Sequence, residues 1–149
     1  SLGADGINMG TRFMCTQESP IHDDIKQIIV GASEKDTRLI MRQLRNSMRV
    51  AKNTVSDEVI EILAGGGRFK AIKDLVAGVR GRRVFAEGDP ELRVWTVGLS
   101  QGLIHDVPSA GEVVRRVVAD GEAVIAGFGG RIISEPAMAP VAATNGAAR

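Results

Sequence analysis

The sequence predicts an α/β chain that is mainly α: one strand-and-turn unit, then four or five amphipathic helices. Three observations carry this expectation. Residues 5–14 alternate, with apolar Ile7, Met9 and Phe13 on odd positions and polar Asn8 and Arg12 on even ones, which is the period of a strand. Beyond residue 20 the apolar residues recur at spacings of three and four, the period of a helix. Gly and Pro stand at the boundaries between these segments, where each interrupts regular structure.

The predicted strand runs from Asp5 to Met14 and is broken by Gly10-Thr11. A glycine there marks a place where backbone comes close to something else. The strand has no parallel partner in this chain, and a lone strand is unstable, so its sheet is expected to lie outside the sequence. Ser19-Pro20 starts a helix, Ser as cap and Pro at the first helical position. Asp23 and Asp24 fall in its first turn, and Ile21, Ile25, Ile28 and Ile29 form its apolar face up to Gly31 and Ser33. Between Asp36 and Asn53 the signals conflict. Arg38, Arg42, Arg45, Arg49 and Lys52 recur at helical spacing, yet Thr37–Leu44 reads equally well as extended chain.

A helix over Asp57–Ala64 follows, capped by Ser56, with Val59, Ile60 and Leu63 inward and Gly65-Gly66-Gly67 as its stop. The next covers Phe69–Ala77, its face being Phe69, Ile72, Leu75 and Val76, with Gly78 as the C-terminal stop. Asp89-Pro90 opens another, carrying Leu92, Trp95, Thr96 and Leu99. Ser109-x-x-Glu112 is a capping-box pattern for the longest helix. Its buried stripe is expected to be Val113, Val114, Val117, Val118, Val124, Ile125 and Phe128. The expected organisation is a strand, turn and helix over 1–33, a helical region over 34–133 and a disordered tail over 134–149, where small residues dominate.

Composition narrows the function classes. The chain has 149 residues, 44% hydrophobic and 25% charged, which is a globular average able to bury a core. Nineteen Lys and Arg against 18 Asp and Glu leave a net charge of +1, so no electrostatic case exists for nucleic acid or an anionic membrane. Four Phe, one Trp and no Tyr supply little aromatic surface for base stacking. A single cysteine, Cys15, cannot form an internal disulfide, and no apolar run approaches the roughly 20 residues that span a bilayer. The expectation is a soluble cytoplasmic protein.

The strongest candidate for chemistry is Asn8-Met9-Gly10-Thr11. At the C-terminal end of a parallel strand, a glycine lets successive backbone N–H groups point at an anion, and Thr11 adds a hydroxyl. Barrels of alternating strands and helices commonly hold a phosphate this way on their last strands. The remaining candidates read as structural. His22 is expected to be a solvated residue near a helix start, and His105 a loop residue. Cys15 should be a small buried residue, and Met41 and Met48 core fillers. The basic stripe, with Arg80, Arg82 and Arg83, should be solvated or salt-bridged. No residues stand at metal-ligand spacing, so no metal is expected.

The stretch "GADGINMGTRFMCTQESPIHDDIKQ" resembles the closing strand of the nitronate monooxygenase family, formerly called 2-nitropropane dioxygenases. The likeness continues through "LRNSMRVAKNTVSDEVIEI" and "VFAEGDPELRVWTVGLSQGLIHDVPSAGEVV", from Gly3 to about Val124. It implies the C-terminal part of a TIM barrel that binds flavin mononucleotide (FMN), its last strand followed by a mostly helical region. The family's Gln-Met-Gly-Thr stretch, which contacts the flavin phosphate, matches Asn8, Met9, Gly10 and Thr11, with Asn in place of Gln at the first position. The implied reaction is oxidation of an alkyl nitronate by molecular oxygen. The catalytic base is expected outside this chain, which alone should be inactive. The implied partners are the nitronate and O2, with a homodimer admissible. Flavin-dependent enoyl-acyl-carrier-protein reductases share the closing strand and a similar Gly-x-x-x-Gly-Leu-Ile ending, here Gly98 to Ile104, and are the alternative. A non-catalytic helical interaction remnant is a further one.

Overall fold

A computed structural model describes residues 5–129, with the backbone alone at 78–81 and 129. Two compact units divide at Val114 and Arg115. In chain order the elements are α1 (Thr11–Met14), α2 (Asp23–Gly31), β1 (Thr37–Ile40), a 3₁₀ turn (Arg42–Leu44), β2 (Met48–Ala51), α3 (Thr54–Ala64), α4 (Phe69–Val76), α5 (Gly78–Glu87), a second 3₁₀ helix (Leu99–Leu103) and α6 (Ala110–Gly129).

Residues 36–53 settle as an antiparallel hairpin. Thr37 faces Ala51, Arg38 faces Val50, Leu39 faces Arg49 and Ile40 faces Met48. The arginines at helical spacing therefore stand on a hairpin rather than along one helix: Arg38 on β1, Arg42 and Arg45 at the turn and Arg49 on β2. Arg49 donates to the Thr37 hydroxyl at 2.8 Å, and Arg38 pairs with Asp57 on α3 at 3.0 Å. A third extended segment adds to β2: Val50 bridges Thr96, and the Ala51 amide donates to the Trp95 carbonyl at 3.0 Å.

That pairing divides the core. Successive residues of an extended chain point to opposite faces. Val50 and Val94 thus enter one cluster with Ile40, Val55, Val59, Leu63 and Ile72. Ala51, Trp95 and Val97 enter another with Cys15, Ile25, Ile29, Val84 and Ile104. The helix predicted from Asp89 is absent for this reason. Leu92, Trp95, Thr96 and Leu99 fit helical spacing, but the run Val94-Trp95-Thr96-Val97 is β-branched and aromatic, and β2 offers it an edge.

Helix starts also differ from expectation. α2 begins at Asp23 rather than at Pro20, because His22 is its cap: the ring Nδ1 accepts from the Asp24 amide at 3.2 Å. α3 begins at Thr54, one turn earlier than predicted. Asn53 caps it, and Ser56 is the third residue of a reciprocal capping box. Gly78 does not end the helical region. Ala77 (φ −62°, ψ 116°) breaks it, and α5 starts at Gly78 and runs to Gly88, a left-handed cap at φ 78°. Gly88 is required twice, since a Cβ there would also collide with the His22 ring.

The predicted strand over Asp5–Met14 is not formed. Residues 5–9 are irregular and Thr11–Met14 is helical. No strand among the described residues lies beside this segment, and Ile7 is 71% exposed. The long C-terminal helix is present, with the Ser109 hydroxyl accepting from the Glu112 amide at 3.2 Å. Its stripe is not buried as expected: Val113 is, Val117 is half-buried, and Val114, Val118, Val124, Ile125 and Phe128 are exposed. An apolar stripe marks a face able to pack, not what covers it. Residues 134–149, the predicted tail, lie outside the described residues.

Asn53 ties these parts together. Beyond the cap, its Nδ2 donates to the Pro90 carbonyl at 2.7 Å and to the Arg93 carbonyl at 2.8 Å. Asn53→Ala removes the cap and the side-chain donor to the Arg93 carbonyl, while the Pro90 carbonyl keeps the Trp95 indole N–H at 3.2 Å; the expected loss is about 2–4 kcal/mol. Asn53→Asp keeps the cap acceptor and should lose roughly half of that. Urea unfolding of the two variants checks the ranking.

Before β1, Asp36 accepts from the Ser33 amide and hydroxyl, both at 2.8 Å. The amide bond and then the hydroxyl bond hold its carboxyl below the usual carboxylate range. A lowered native value means the turn's stabilisation is present above the unfolded value and is lost as pH falls through the native one. An NMR titration should place the Asp36 midpoint below that of an ordinary aspartate. Ser33→Ala should move it upward; an unmoved midpoint would refute the assignment.

Candidate functional site

The segment Asn8-Met9-Gly10-Thr11 leads into the one-turn helix α1. Gly10 caps it with φ −97° and ψ −68°, and its carbonyl accepts from the amides of Phe13 (3.0 Å) and Met14 (3.1 Å). The first amides of a helix have no partner in its own ladder, so those at Gly10 and Thr11 stand at an end, not in the interior. A Cβ built at Gly10 meets nothing within 4 Å. Among the described residues, neither backbone conformation nor packing demands a glycine at that position. Asn8 is exposed and Met9 half-buried.

Thr11 is the anchored member, 8% exposed. Its Oγ1 accepts from the Gly98 amide at 2.9 Å, leaving its own hydroxyl hydrogen to donate elsewhere. A Cβ at Gly98 would stand 3.2 Å from that oxygen and 3.3 Å from the Ser100 hydroxyl. The structure thus brings the two glycine motifs together, Gly10-Thr11 and the Gly98–Gly102 run. Behind Gly98, the buried Gln101 donates to the Ser33 carbonyl at 2.7 Å. A Cβ at Gly102 would lie 2.7 Å from the Glu34 amide.

The residues after Thr11 hold this joint in place. Arg12 donates to Asp106 Oδ1 at 3.1 Å, to the Asp106 carbonyl at 2.9 Å and to the Cys15 carbonyl at 3.0 Å. Its Nε is buried without a hydrogen-bond partner among the described residues. The Gln17 amide donates to the Pro108 carbonyl at 3.0 Å, and Glu18 accepts from the Ala110 amide at 2.8 Å. Arg12 is therefore a clamp on the loop before α6 whose charge Asp106 balances. In the sequence Arg12 stands only as a polar position in the expected strand, and Gly98 only as part of the Gly98–Ile104 resemblance. Neither is marked there as a partner of this segment.

The other candidates fall where their chemistry is structural. His22 serves as a cap, and His105 is exposed on the loop after Leu103. Cys15 is fully buried. Lys26, which the sequence did not single out, is buried beside it and pairs with Asp23 at 3.1 Å. Among the described residues, no group of three or more His, Cys, Asp or Glu is placed to hold a metal. Among the same residues no helix is long and apolar enough to cross a membrane.

Burial pushes the Cys15 thiol up, against a smaller opposing pull from Arg12 and then Lys26, with Asp106 reinforcing burial. At pH 8 its thiolate fraction is then below that of an ordinary thiol. Alkylation by iodoacetamide should be at least about tenfold slower in the native chain than in urea. Equal rates would show that Cys15 is reactive.

Comparison with known proteins gives this geometry a context. A family model described as nitronate monooxygenase matches residues 1–120. The chain is 28% identical over 134 residues to nitronate monooxygenase npaC of Metarhizium robertsii, covering 84% of this chain and 37% of that protein. Among solved structures it is similar to FabK from Thermotoga maritima, with a TM-score of 0.79 and 28% identity over 87% of this chain and 41% of that one. A point variant of the same FabK superposes with a TM-score of 0.69 at 27% identity, over 87% of this chain and 37% of that one. The chain spans about two fifths of the length of these relatives.

Proposed function

The chain belongs to the nitronate monooxygenase family, an oxidoreductase family, and we propose that it is the C-terminal portion of an FMN-dependent nitronate monooxygenase. In this reading it supplies the grip on the flavin phosphate. The observation that supports it is the open backbone at Gly10, where a side chain would meet nothing within 4 Å. A glycine that the described residues do not need is accounted for by a ligand that must approach closely.

The residues present fit the phosphate end of such a cofactor. The amides of Gly10 and Thr11 would donate to its oxygens, the Thr11 hydroxyl would add a third donor, and the exposed Asn8 amide is within the same segment. Thr11 can serve because the Gly98 amide occupies one acceptor position of its oxygen and leaves the hydroxyl hydrogen to donate to the ligand. Arg12 would act at second hand by holding α1 against the Asp106 loop. When bound, the flavin supplies the redox chemistry by which O2 oxidises an alkyl nitronate. No base for that reaction is assigned within this chain: His22 is occupied as a helix cap, and His105 stands on an exposed loop. The base and the rest of the flavin site belong to polypeptide beyond these residues.

The alternative is an FMN-dependent enoyl-acyl-carrier-protein reductase, supported by the Gly98–Ile104 run. Turnover of a nitronate with oxygen, against an enoyl thioester with a nicotinamide cofactor, separates the two when the complete protein is assayed. The 149-residue chain mixed with FMN should turn over neither substrate. In the complete protein, Gly10→Val should keep the unfolding midpoint, since the position is open. It should also weaken FMN binding by at least about tenfold, read from flavin fluorescence. Unchanged FMN affinity in that variant would remove the phosphate grip from residues 8–11.

A further inference from the structure

Between the hairpin and α3 lies a cavity of about 370 Å³, a volume in the range of small-molecule sites. None of residues 8–11 lines it. Its apolar lining includes Ile40, Met41, Ile60 and Leu63, and the exposed Arg42 and Gln43 also face it. Ile40, Met41 and Leu63 are buried members of the core cluster on that side, so this wall is rigid. The turn that carries the polar pair is equally constrained. Met41 stands at φ 58° and Arg45 at φ 55°, a left-handed conformation that non-glycine residues adopt only when their surroundings enforce it. Between them the Leu44 amide donates to the Met41 carbonyl at 3.1 Å and the Arg45 amide to the Arg42 carbonyl at 3.0 Å. The backbone from which the Arg42 side chain departs is thereby fixed.

Not every arginine is matched to a carboxylate. Arg12, Arg38 and Arg83 are paired with carboxylates; Arg42 has no carboxylate partner among the described residues. A guanidinium without a counter-ion at an apolar cavity selects an anion with an apolar body. Its planar fork matches a carboxylate best, and the Gln43 amide can donate a further hydrogen bond. We propose that this cavity binds a medium-chain alkyl carboxylate. The chain lies against Ile40, Met41, Ile60 and Leu63, and the carboxylate faces Arg42 and Gln43.

The test uses octanoate titrated into the chain by isothermal calorimetry without flavin, so its outcome is independent of the phosphate-grip reading. Octanol and acetate are the comparison ligands. Octanoate should bind saturably with one equivalent, and acetate should not. Arg42→Gln, an exposed substitution, should weaken octanoate by about tenfold and leave octanol unchanged. Ile60→Trp should fill the cavity and abolish octanoate binding while the circular dichroism spectrum is retained. If that variant fails to fold, Leu39→Trp fills the same cavity from the hairpin and carries the same expectation. Absence of saturable octanoate binding overturns the proposal. So does an unchanged octanoate affinity in Arg42→Gln, or binding that survives a filled cavity.

Discussion

The two-residue alternation of β2 and of the segment paired to it governs the fold between residues 37 and 97. Val50 and Val94 are committed to one core cluster, Ala51 and Trp95 to the other. A slip of one residue would exchange every one of these side chains between faces. Asn53 prevents that slip at its source, because the same side chain that caps α3 holds the carbonyls of Pro90 and Arg93. The helices then follow from which cluster they meet. α3 and α4 contribute Val55, Val59, Leu63 and Ile72 to the first. α5 contributes Val84 to the second, where Phe85 also meets Trp95 edge to face at 6.0 Å.

The same layer reaches the candidate site directly. Trp95 and Val97 share a cluster with Cys15, which follows α1, and the next residue, Gly98, donates to Thr11. The position of Thr11 is thus inherited from the sheet through one continuous stretch of chain, and Arg12 with Asp106 closes it from the other side. A flavin phosphate held at Gly10 and Thr11 would rest on the core rather than on a loose terminal segment.

The sequence made α3 and α4 legible because their apolar residues repeat at helical spacing between unambiguous stops. Other features were ambiguous for stated physical reasons. Residues 89–99 satisfy both periods, and only the edge of β2 decides between them. Arg38 to Lys52 likewise carries a helical charge pattern on a hairpin. Ser19-Pro20 is a sound start signal, but His22 competes for the same role and wins with a ring nitrogen, which cap rules based on oxygen overlook. At the candidate site, local pattern and resemblance singled out the four residues Asn8 to Thr11 as the proposed grip. The partner that anchors Thr11 was not, because Gly98 lies 87 residues away and no local rule connects them.

The double grip of Asn53 also has a bearing on how such a scaffold can diverge. Its amide joins backbone 37 residues apart, so α4, α5 and their connections form an excursion that leaves the layer and returns to the same anchor. Enlarging a closed excursion adds little entropy, about 0.6 kcal/mol for each doubling of its length. Insertions in the glycine connection between α3 and α4, at residues 65–68, would therefore be absorbed locally, while the strands and everything beyond Pro90 kept their places. The same insertion between Trp95 and Gly98 would separate the layer from Thr11, leaving the fold intact and its most exacting contact out of register.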